Sequence, residues 1–208
     1  NDMLNTLPVA YRSALDVLPL LHGLDAELEF NWGRPEYQAD LTVQSTFTSE
    51  DGAARSVALA LDGGGATGDA PGPFYSSKGY MHFGADGAAG KADVSLDVAR
   101  TLAAMKTSLD LYEVDLSYLA KLANASSFAQ DLRGKLTGPV TIEHKDKTQF
   151  SVDVTATELV MAANQAAIPE LSLRGALSAD SAFEHVQAEK FSVRIPDQLD
   201  LELQKLSM

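Results

Sequence analysis

The stretch FSVDVT, residues 150–155, decides the fold of this chain because its apolar and polar residues alternate strictly. The same alternation recurs in AELEFNW at 26–32 and in LDLELQ at 199–204. Successive side chains of a β-strand point to opposite faces, so each of these segments forms a strand with one apolar and one polar face. The pattern predicts an all-β protein whose sheet has its apolar residues on one side only.

Turn-forming residues separate the alternating segments along most of the chain. Turns are predicted at 33–35, 51–52, 86–87 and 144–147, where Gly, Pro and Asp are concentrated. The period of two predicts strands near 25–33, 37–48, 55–62, 79–84, 92–98, 107–116, 132–144, 148–162, 170–178, 186–195 and 198–206.

Two segments show the three- and four-residue spacing of a helix instead. Leu and Tyr side chains recur at this spacing in residues 3–24, which predicts a helical lead-in over 1–24 with its helix near 8–18. Asp115 is a predicted N-cap for a second short helix near 115–123.

Residues 25–208 are predicted to form a single curled β-sheet domain. The glycines within 62–73 predict a flexible loop between two of its strands. A weak internal repeat relates 15–45 to 114–156, since each copy combines a Leu-rich helical piece, a strand containing glycine, a tight hairpin and an alternating strand. A repeated unit of this kind favours an elongated sheet that grows by adding strands.

Composition excludes several classes of function. The formal net charge is −13, and the clustered Lys and Arg that bind phosphate backbones are missing, so no nucleic-acid partner is expected. The chain has no Cys, which excludes disulfides, zinc–thiolate sites and thiol catalysis. No apolar stretch reaches the length of a membrane-spanning helix, so no transmembrane span is expected within this chain. The start at Asn1 suggests a piece of a longer protein.

The residues that most often carry chemistry form no recognisable motif. The four His residues have no metal-ligand spacing, and no Ser lies in a nucleophile-elbow motif. Acidic residues alternate along polar strand faces, as solvated strands usually do. Trp32 and Tyr37 flank a turn, where they either stack on a sugar or complete a core. We therefore expect no catalytic residue, no metal and no cofactor, and predict a protein that is not an enzyme.

The repeated unit resembles the AsmA-like superfamily and, within it, the TamB (translocation and assembly module) family. The likeness lies in a short helix with the pattern V-D-L-x-x-L, then L-x-G-x-L, then alternating strands. The segments that carry it are LDLYEVDLSYL at 109–119, LRGKL at 132–136, FSVDV at 150–154 and LSLRGAL at 171–177. The stretch 50–92, rich in Ala and Gly, departs from the repeat.

The resemblance implies an elongated antiparallel sheet, curled into a trough or half-barrel with an apolar interior and one or two short helices. Members of this superfamily lie in the Gram-negative periplasm, tethered to the inner membrane, and function in outer-membrane assembly and phospholipid transport. The partners it implies are a phospholipid or other acyl-chain ligand, or an outer-membrane protein client. The family brings no catalytic residues.

The leading hypothesis is a non-enzymatic periplasmic segment that shields acyl chains or β-rich clients along its apolar face. A closed β-sandwich interaction module of a secreted or surface protein is one alternative, and a carbohydrate-active enzyme on a β scaffold is another. The candidate groove residues are the apolar members of the alternating strands: Leu28, Phe30, Trp32, Leu41, Val43, Leu96, Leu111, Phe150, Val152, Leu171, Leu173, Phe191, Val193, Leu201 and Leu203.

Overall fold

The computed structural model describes residues 21–33, 35–48, 53–68, 72–101, 103–122, 132–161, 166–180 and 186–207. Helix α1 spans Leu116–Leu122, and a 3₁₀ turn covers Ala85–Gly87. The strands are β1 (Leu21–Gly33), β2 (Glu36–Thr48), β3 (Ala54–Ala66), β4 (Tyr75–Phe83), β5 (Gly90–Val98), β6 (Met105–Asp115), β7 (Leu132–His144), β8 (Thr148–Met161), β9 (Ala166–Ala179), β10 (Val186–Ile195) and β11 (Leu199–Ser207).

The described strands form one antiparallel sheet in which each strand pairs with the next along the chain. Within the described residues, β1 pairs only with β2 and β11 only with β10, so the sheet is open at both long edges. The predicted turn between β7 and β8 is confirmed, since Lys145 donates a backbone hydrogen bond to the carbonyl of Lys147 over 3.0 Å. The predicted all-β class is confirmed, and these strands form one continuous sheet rather than the two packed sheets of a sandwich.

The strand register aligns the apolar side chains on one face of the sheet. Leu28 of β1 lies opposite Leu41 of β2, which lies opposite Leu61 of β3. Leu173 of β9 lies opposite Val193 of β10 on the same face. A slip of one residue in any pairing would reverse the faces of that strand, so the alternation in the sequence excludes such slips.

This apolar face is the concave side of a curled sheet, and we call it the concave face. Its central side chains are buried: Phe83 and Leu111 are each 5% exposed and Val114 is 0% exposed. The described part of the chain contains no second sheet to cover them, while Asp93 and Asp110 on the opposite, convex face are exposed. A sheet can bury its own face in this way only by curling, so the fold is the predicted trough with an apolar interior.

Glycines allow neighbouring strands to approach closely where the sheet curls. A Cβ at Gly90 (φ 124°) would lie 2.4 Å from the Cα of Val114. A Cβ at Gly138 (φ 126°) would lie 2.3 Å from the carbonyl oxygen of Asp153. Other residues rarely adopt these backbone conformations, so glycine is required at both positions.

Helix α1 covers one end of the trough. The Tyr118 hydroxyl donates to the carbonyl oxygen of Ser56 over 2.8 Å and accepts from the Ser56 N–H over 2.7 Å. Because Ser56 lies in β3 whereas α1 follows β6, the helix and this side chain bridge the ends of β4 and β5. Leu119 and Leu122 pack against the buried core beneath them. We call this end the closed end and the opposite end of the strands the open end.

The predicted N-cap of α1 is confirmed. The Asp115 carboxylate accepts from the Tyr118 N–H over 3.1 Å and from the Ser117 hydroxyl over 2.7 Å. Burial by itself raises the pKa of Asp115, but the hydrogen bonds from Ser117 and Tyr118 and the charge of Lys135 outweigh burial and lower this pKa below its usual value of 3.8. The contribution of Asp115 to stability is therefore complete above its unfolded pKa and is lost as the pH falls through the lowered folded pKa.

We expect Asp115→Ala to lower the free energy of unfolding by about 1 kcal/mol at neutral pH, since the cap of α1 is lost. The difference from the wild type should shrink below a pH of about 4, where the wild-type carboxyl begins to protonate as well. Urea unfolding at both pH values measures this, with Asp146→Ala in an exposed turn as the control. An equal loss at neutral and acid pH would contradict the capping role of the carboxylate.

Two predictions about the segments between strands are wrong in part. The loop expected at 62–73 is shorter, because β3 continues to Ala66 and residues 63–65 pair with residues 37–39 of β2. Strand β1 begins at Leu21, inside the predicted helical lead-in over 1–24. In both places cross-strand pairing makes a strand longer than local composition predicts: β3 ends later and β1 begins earlier.

Other sequence predictions lie outside the described residues. These are the helix near 8–18, the turn at 51–52 and residues 69–71 of the predicted loop. The two copies of the predicted repeat contain the β1–β2 and β7–β8 hairpins, and the second copy also contains α1. Helix α1 is the longest helix that the structure describes, and no helix in this part of the chain has the length and apolar character to cross a membrane.

Candidate functional site

The strand register places every candidate groove residue on the concave face. In β1 and β2, Leu28 lies directly opposite Leu41. In the later strands, Phe191 lies opposite Leu203, and Val193 lies opposite Leu201. The concave face therefore carries apolar side chains in all eleven described strands.

The same face divides into a buried centre and two exposed lips. Leu111 in β6 is 5% exposed and packs in the core, and Val152 in β8 packs against that core. Leu28 in β1 is 63% exposed, and Leu201 in β11 is 42% exposed. The outer strands thus present the most exposed large apolar side chains of this face to solvent, where a ligand can cover them.

An aromatic cluster lies on the β1–β2 lip at the open end. The rings of Phe30 and Trp32 have centroids 5.6 Å apart, and Trp32 stacks on Tyr37 at 6.1 Å. The Tyr37 ring also lies 6.2 Å from Phe74, and its hydroxyl donates to the Phe74 carbonyl. Burial, with a smaller contribution from neighbouring Tyr75, raises the pKa of Tyr37. Trp32 and Tyr37 therefore extend the apolar lip, and Phe74 joins them from a loop that the alternation pattern does not reach.

The concave face also carries polar side chains that the sequence analysis missed. Ser77 is 3% exposed, and its hydroxyl has no hydrogen-bond partner among the described residues. His144 Nδ1 lies 2.9 Å from the Thr148 hydroxyl, and both side chains belong to this face through the β7–β8 register. The alternation pattern could have identified these side chains, since each lies an even number of residues from an apolar residue on its own strand.

Acidic residues of the alternating pairs lie on the convex face. Glu27 and Glu29 of β1 point away from the apolar surface, as do Asp200 and Glu202 of β11. Glu202 forms an ion pair with Lys190 over 2.9 Å. These carboxylates give the chain a hydrated outer surface.

Tyr112 lies between two convex-face carboxylates. Its hydroxyl lies 3.0 Å from a carboxylate oxygen of Asp93 and 3.1 Å from one of Asp110, and these two aspartates are direct cross-strand neighbours. The hydrogen bonds to Asp93 and Asp110 raise the pKa of Tyr112 to about 12. The phenol therefore stays protonated at neutral pH and offsets part of the repulsion between two like charges.

The two histidines whose side chains are described do not converge. His82 lies on the convex face against Tyr80, with ring centroids 4.8 Å apart, whereas His144 lies on the concave face. In the described parts of the chain, no three His, Asp or Glu side chains come together as a metal site would need.

The described residues thus form a curled apolar surface with two exposed lips. Helix α1 covers one end of it, and its convex side is hydrated. Such a surface recognises a ligand through its apolar area rather than through directed polar contacts. No protein-family model, curated protein or solved structure matches this chain.

Proposed function

We propose that the chain is a non-enzymatic segment of an AsmA-like, TamB-like periplasmic protein, anchored to the inner membrane through its parent chain. In this proposal the concave face shields lipid acyl chains during transport towards the outer membrane. One observation carries it: apolar side chains line the concave face in every described strand, yet its lips expose Leu28, Phe30 and Trp32 on one side and Leu201 and Leu203 on the other. Clusters of exposed large apolar side chains on soluble proteins commonly mark places where something binds.

The proposed mechanism is partitioning of acyl chains between water and the concave face. Removing a methylene from water is worth about 0.8 kcal/mol, so shielding roughly half the surface of a ten-carbon chain is worth about 4 kcal/mol. Contacts of this kind have no direction, so a chain can slide along the trough without breaking hydrogen bonds. Neither step needs a catalytic group or a cofactor.

A β-rich outer-membrane protein client is a second candidate ligand. Among the described strands, β1 and β11 each have a free edge, and unpaired backbone groups there can pair with an added strand. A client strand bound in this way would protect the β1 or β11 amides from hydrogen exchange. A lipid on the concave face would leave the exchange of these amides largely unchanged.

The fluorescence of Trp32 tests the lipid hypothesis. It is the only tryptophan of the chain, it lies on the concave face and it is 51% exposed. We expect a phospholipid with short brominated acyl chains, kept below its micelle concentration, to quench this fluorescence saturably, because bromine quenches only at close contact. Native mass spectrometry should detect the same complex.

The matched control moves the reporter to the other face. Tyr80 is 50% exposed on the convex face, so Trp32→Phe combined with Tyr80→Trp places the only tryptophan there. This variant should bind lipid in the mass spectrum but show little quenching. Equal quenching on both faces, or no binding by the wild type, would contradict an acyl-chain groove.

A further inference from the structure

Strand β1 forms one open edge of the sheet. Among the described residues it pairs with β2 alone, so the backbone groups of β1 that point away from β2 have no described strand to bond. Every residue of β1 from Leu24 to Gly33 is exposed, on both faces of the strand. Strand β11 is open in the same way, and the side chains of the two strands decide which edge is suited to a partner.

The convex side of β1 and β2 carries negative charge that no described cation matches. The register places five carboxylates there: Asp25, Glu27, Glu29, Glu36 and Asp40. Neither strand contains a Lys or an Arg. None of the five forms an ion pair with another described residue. Arg34, in the turn between the two strands, lies outside the described residues.

Glu29 begins a row of like charges that crosses three strands. It lies opposite Asp40 of β2, which lies opposite Asp62 of β3. The first cation in this row is Lys78 of β4. The Asp40 carboxylate accepts a hydrogen bond from Gln38 over 3.4 Å, and its other oxygen has no partner among the described residues. Like charges directly opposite each other destabilise a sheet, so a cation beside Glu29 would stabilise this one.

A cavity of about 430 Å³ lies beside the first two carboxylates of this row. It is lined by Glu29, Phe30, Asn31, Gln38 and Asp40, and all of these except Phe30 belong to the convex face by register. The two carboxylates and the two side-chain amides can accept hydrogen bonds from a guanidinium or an ammonium group. Adjacent strands lie about 4.8 Å apart, so a long side chain on a strand added beside β1 can reach this cavity.

The charges of β11 are matched within the sheet. Glu202 forms its ion pair with Lys190 over 2.9 Å, and Asp200 lies directly opposite Arg194. The concave sides of the two edges are alike, since both expose large apolar side chains. Of the two edges, β1 is therefore the one that combines exposed apolar side chains with unmatched carboxylates.

These charges disfavour a second copy of this chain at the β1 edge. The β1 strand of another copy would bring its own Glu27 and Glu29 to the convex side, and its β11 strand would bring Asp200 and Glu202. Like charges directly opposite each other on paired strands are destabilising. A strand that carries cations at these positions has the opposite effect.

We propose that the β1 edge binds an extended polypeptide segment in which apolar residues alternate with Lys or Arg. The segment pairs with β1 as an added strand. Its apolar side chains extend the concave face beside Leu28 and Phe30, and its cations lie beside Glu27 and Glu29 on the convex face. One of these cations occupies the cavity lined by Glu29 and Asp40. The inference rests on the strand-addition candidate of the proposed function, which it narrows to one edge and one kind of strand, and it does not depend on lipid binding.

Three synthetic peptides of about ten residues, long enough to form a strand, test the proposal on the whole chain. The first alternates Val and Arg, the second has the same composition with all Val before all Arg, and the third alternates Val and Glu. We expect only the alternating Val-Arg peptide to bind saturably in fluorescence anisotropy. It should also slow hydrogen exchange of β1 amides and leave those of β11 unchanged. The block peptide keeps the charge but cannot place Val and Arg on opposite faces of a strand.

Reversing the charge of β1 should reverse this preference. Glu27→Lys combined with Glu29→Lys should weaken binding of the Val-Arg peptide by at least about tenfold and create binding of the Val-Glu peptide, because two attractions become repulsions. Both positions are exposed, so the variant should keep the circular dichroism spectrum of the wild type. Asp200→Lys combined with Glu202→Lys makes the same change of charge on β11 and should leave the affinity for the Val-Arg peptide unchanged.

The alternative occupants give different results. Equal binding of the block peptide would show adsorption to an acidic surface and overturn the proposal, and protection of β11 amides in place of β1 amides would overturn the choice of edge. Protection of β1 that grows with protein concentration in the absence of peptide would identify a second copy as the occupant and overturn the proposed partner. Absence of peptide binding would overturn the β1 site and leave the lipid groove standing. Peptide binding without quenching of Trp32 by brominated lipid would support the β1 site and overturn the groove.

Discussion

Val114→Asp is expected to abolish folding. Val114 is 0% exposed and packs with Phe83, Leu111 and Val154 in the core beneath α1. A carboxylate at this position has no cation to pair with in the core cluster, and burying such a group costs several kcal/mol whether it stays charged or takes up a proton. That cost is comparable to the whole stability of a typical domain. Loss of the β signal in circular dichroism and loss of soluble protein measure the effect.

Two controls separate the buried charge from other consequences of the substitution. Val114→Ala removes only apolar contacts and should leave a folded protein that is less stable by about 2 kcal/mol. Leu28→Asp introduces the same carboxylate on the same face, but at an exposed position of β1, and should also fold. A cooperative melt of Val114→Asp within a few degrees of the wild type would show that the centre of the concave face is not a closed core.

The alternation of residue types is sufficient to predict the strands and their faces. The predicted strand at 132–144 has the observed bounds of β7, and the predicted bounds of β10, at 186–195, are also the observed ones. Each pattern is local, and a slip of one residue against the neighbouring strand would move the apolar side chains to the other face. For the same reason every candidate groove residue shares one face.

Local composition fails where distant pairing decides the structure. Residues 63–65 are all glycine, which by themselves predict a loop. In the structure they continue β3, because residues 37–39 on one side and Ser76 and Ser77 on the other supply the ladder. The free energy gained by completing backbone hydrogen bonds in the middle of a sheet outweighs the cost of placing glycine, a poor strand former, in a strand.

The sequence cannot predict which part of the apolar face is covered. Leu28 and Leu111 are both apolar residues of alternating strands, yet they are 63% and 5% exposed. Their difference arises from the number of strands on either side, from the curvature that Gly90 and Gly138 allow, and from α1. All three are properties of the assembled sheet, so the boundary between core and groove appears only in the structure.

The combined variant Leu28→Asp and Leu201→Asp is expected to fold normally and to lose lipid binding. These side chains are 63% and 42% exposed on the two lips, so their carboxylates stay hydrated and the free energy of unfolding should change by less than about 1 kcal/mol. An acyl chain lying between the lips would have to remove water from both carboxylates, so we expect affinity for the brominated phospholipid to fall by at least about tenfold. Thermal melting and Trp32 quenching on the same preparation measure the two effects.

The matched control places uncharged residues on the same two strands but on the convex face. Glu27→Gln and Asp200→Asn alter charge beside the substituted lip positions without touching the concave face, and lipid affinity should stay within a factor of about two of the wild type. If the lip variant folds and binds the phospholipid as well as this control does, the exposed apolar lips have no part in ligand binding. If the lip variant fails to fold while the control variant melts cooperatively, the lips belong to the core. The trough would then be closed by contacts that exposure alone does not reveal.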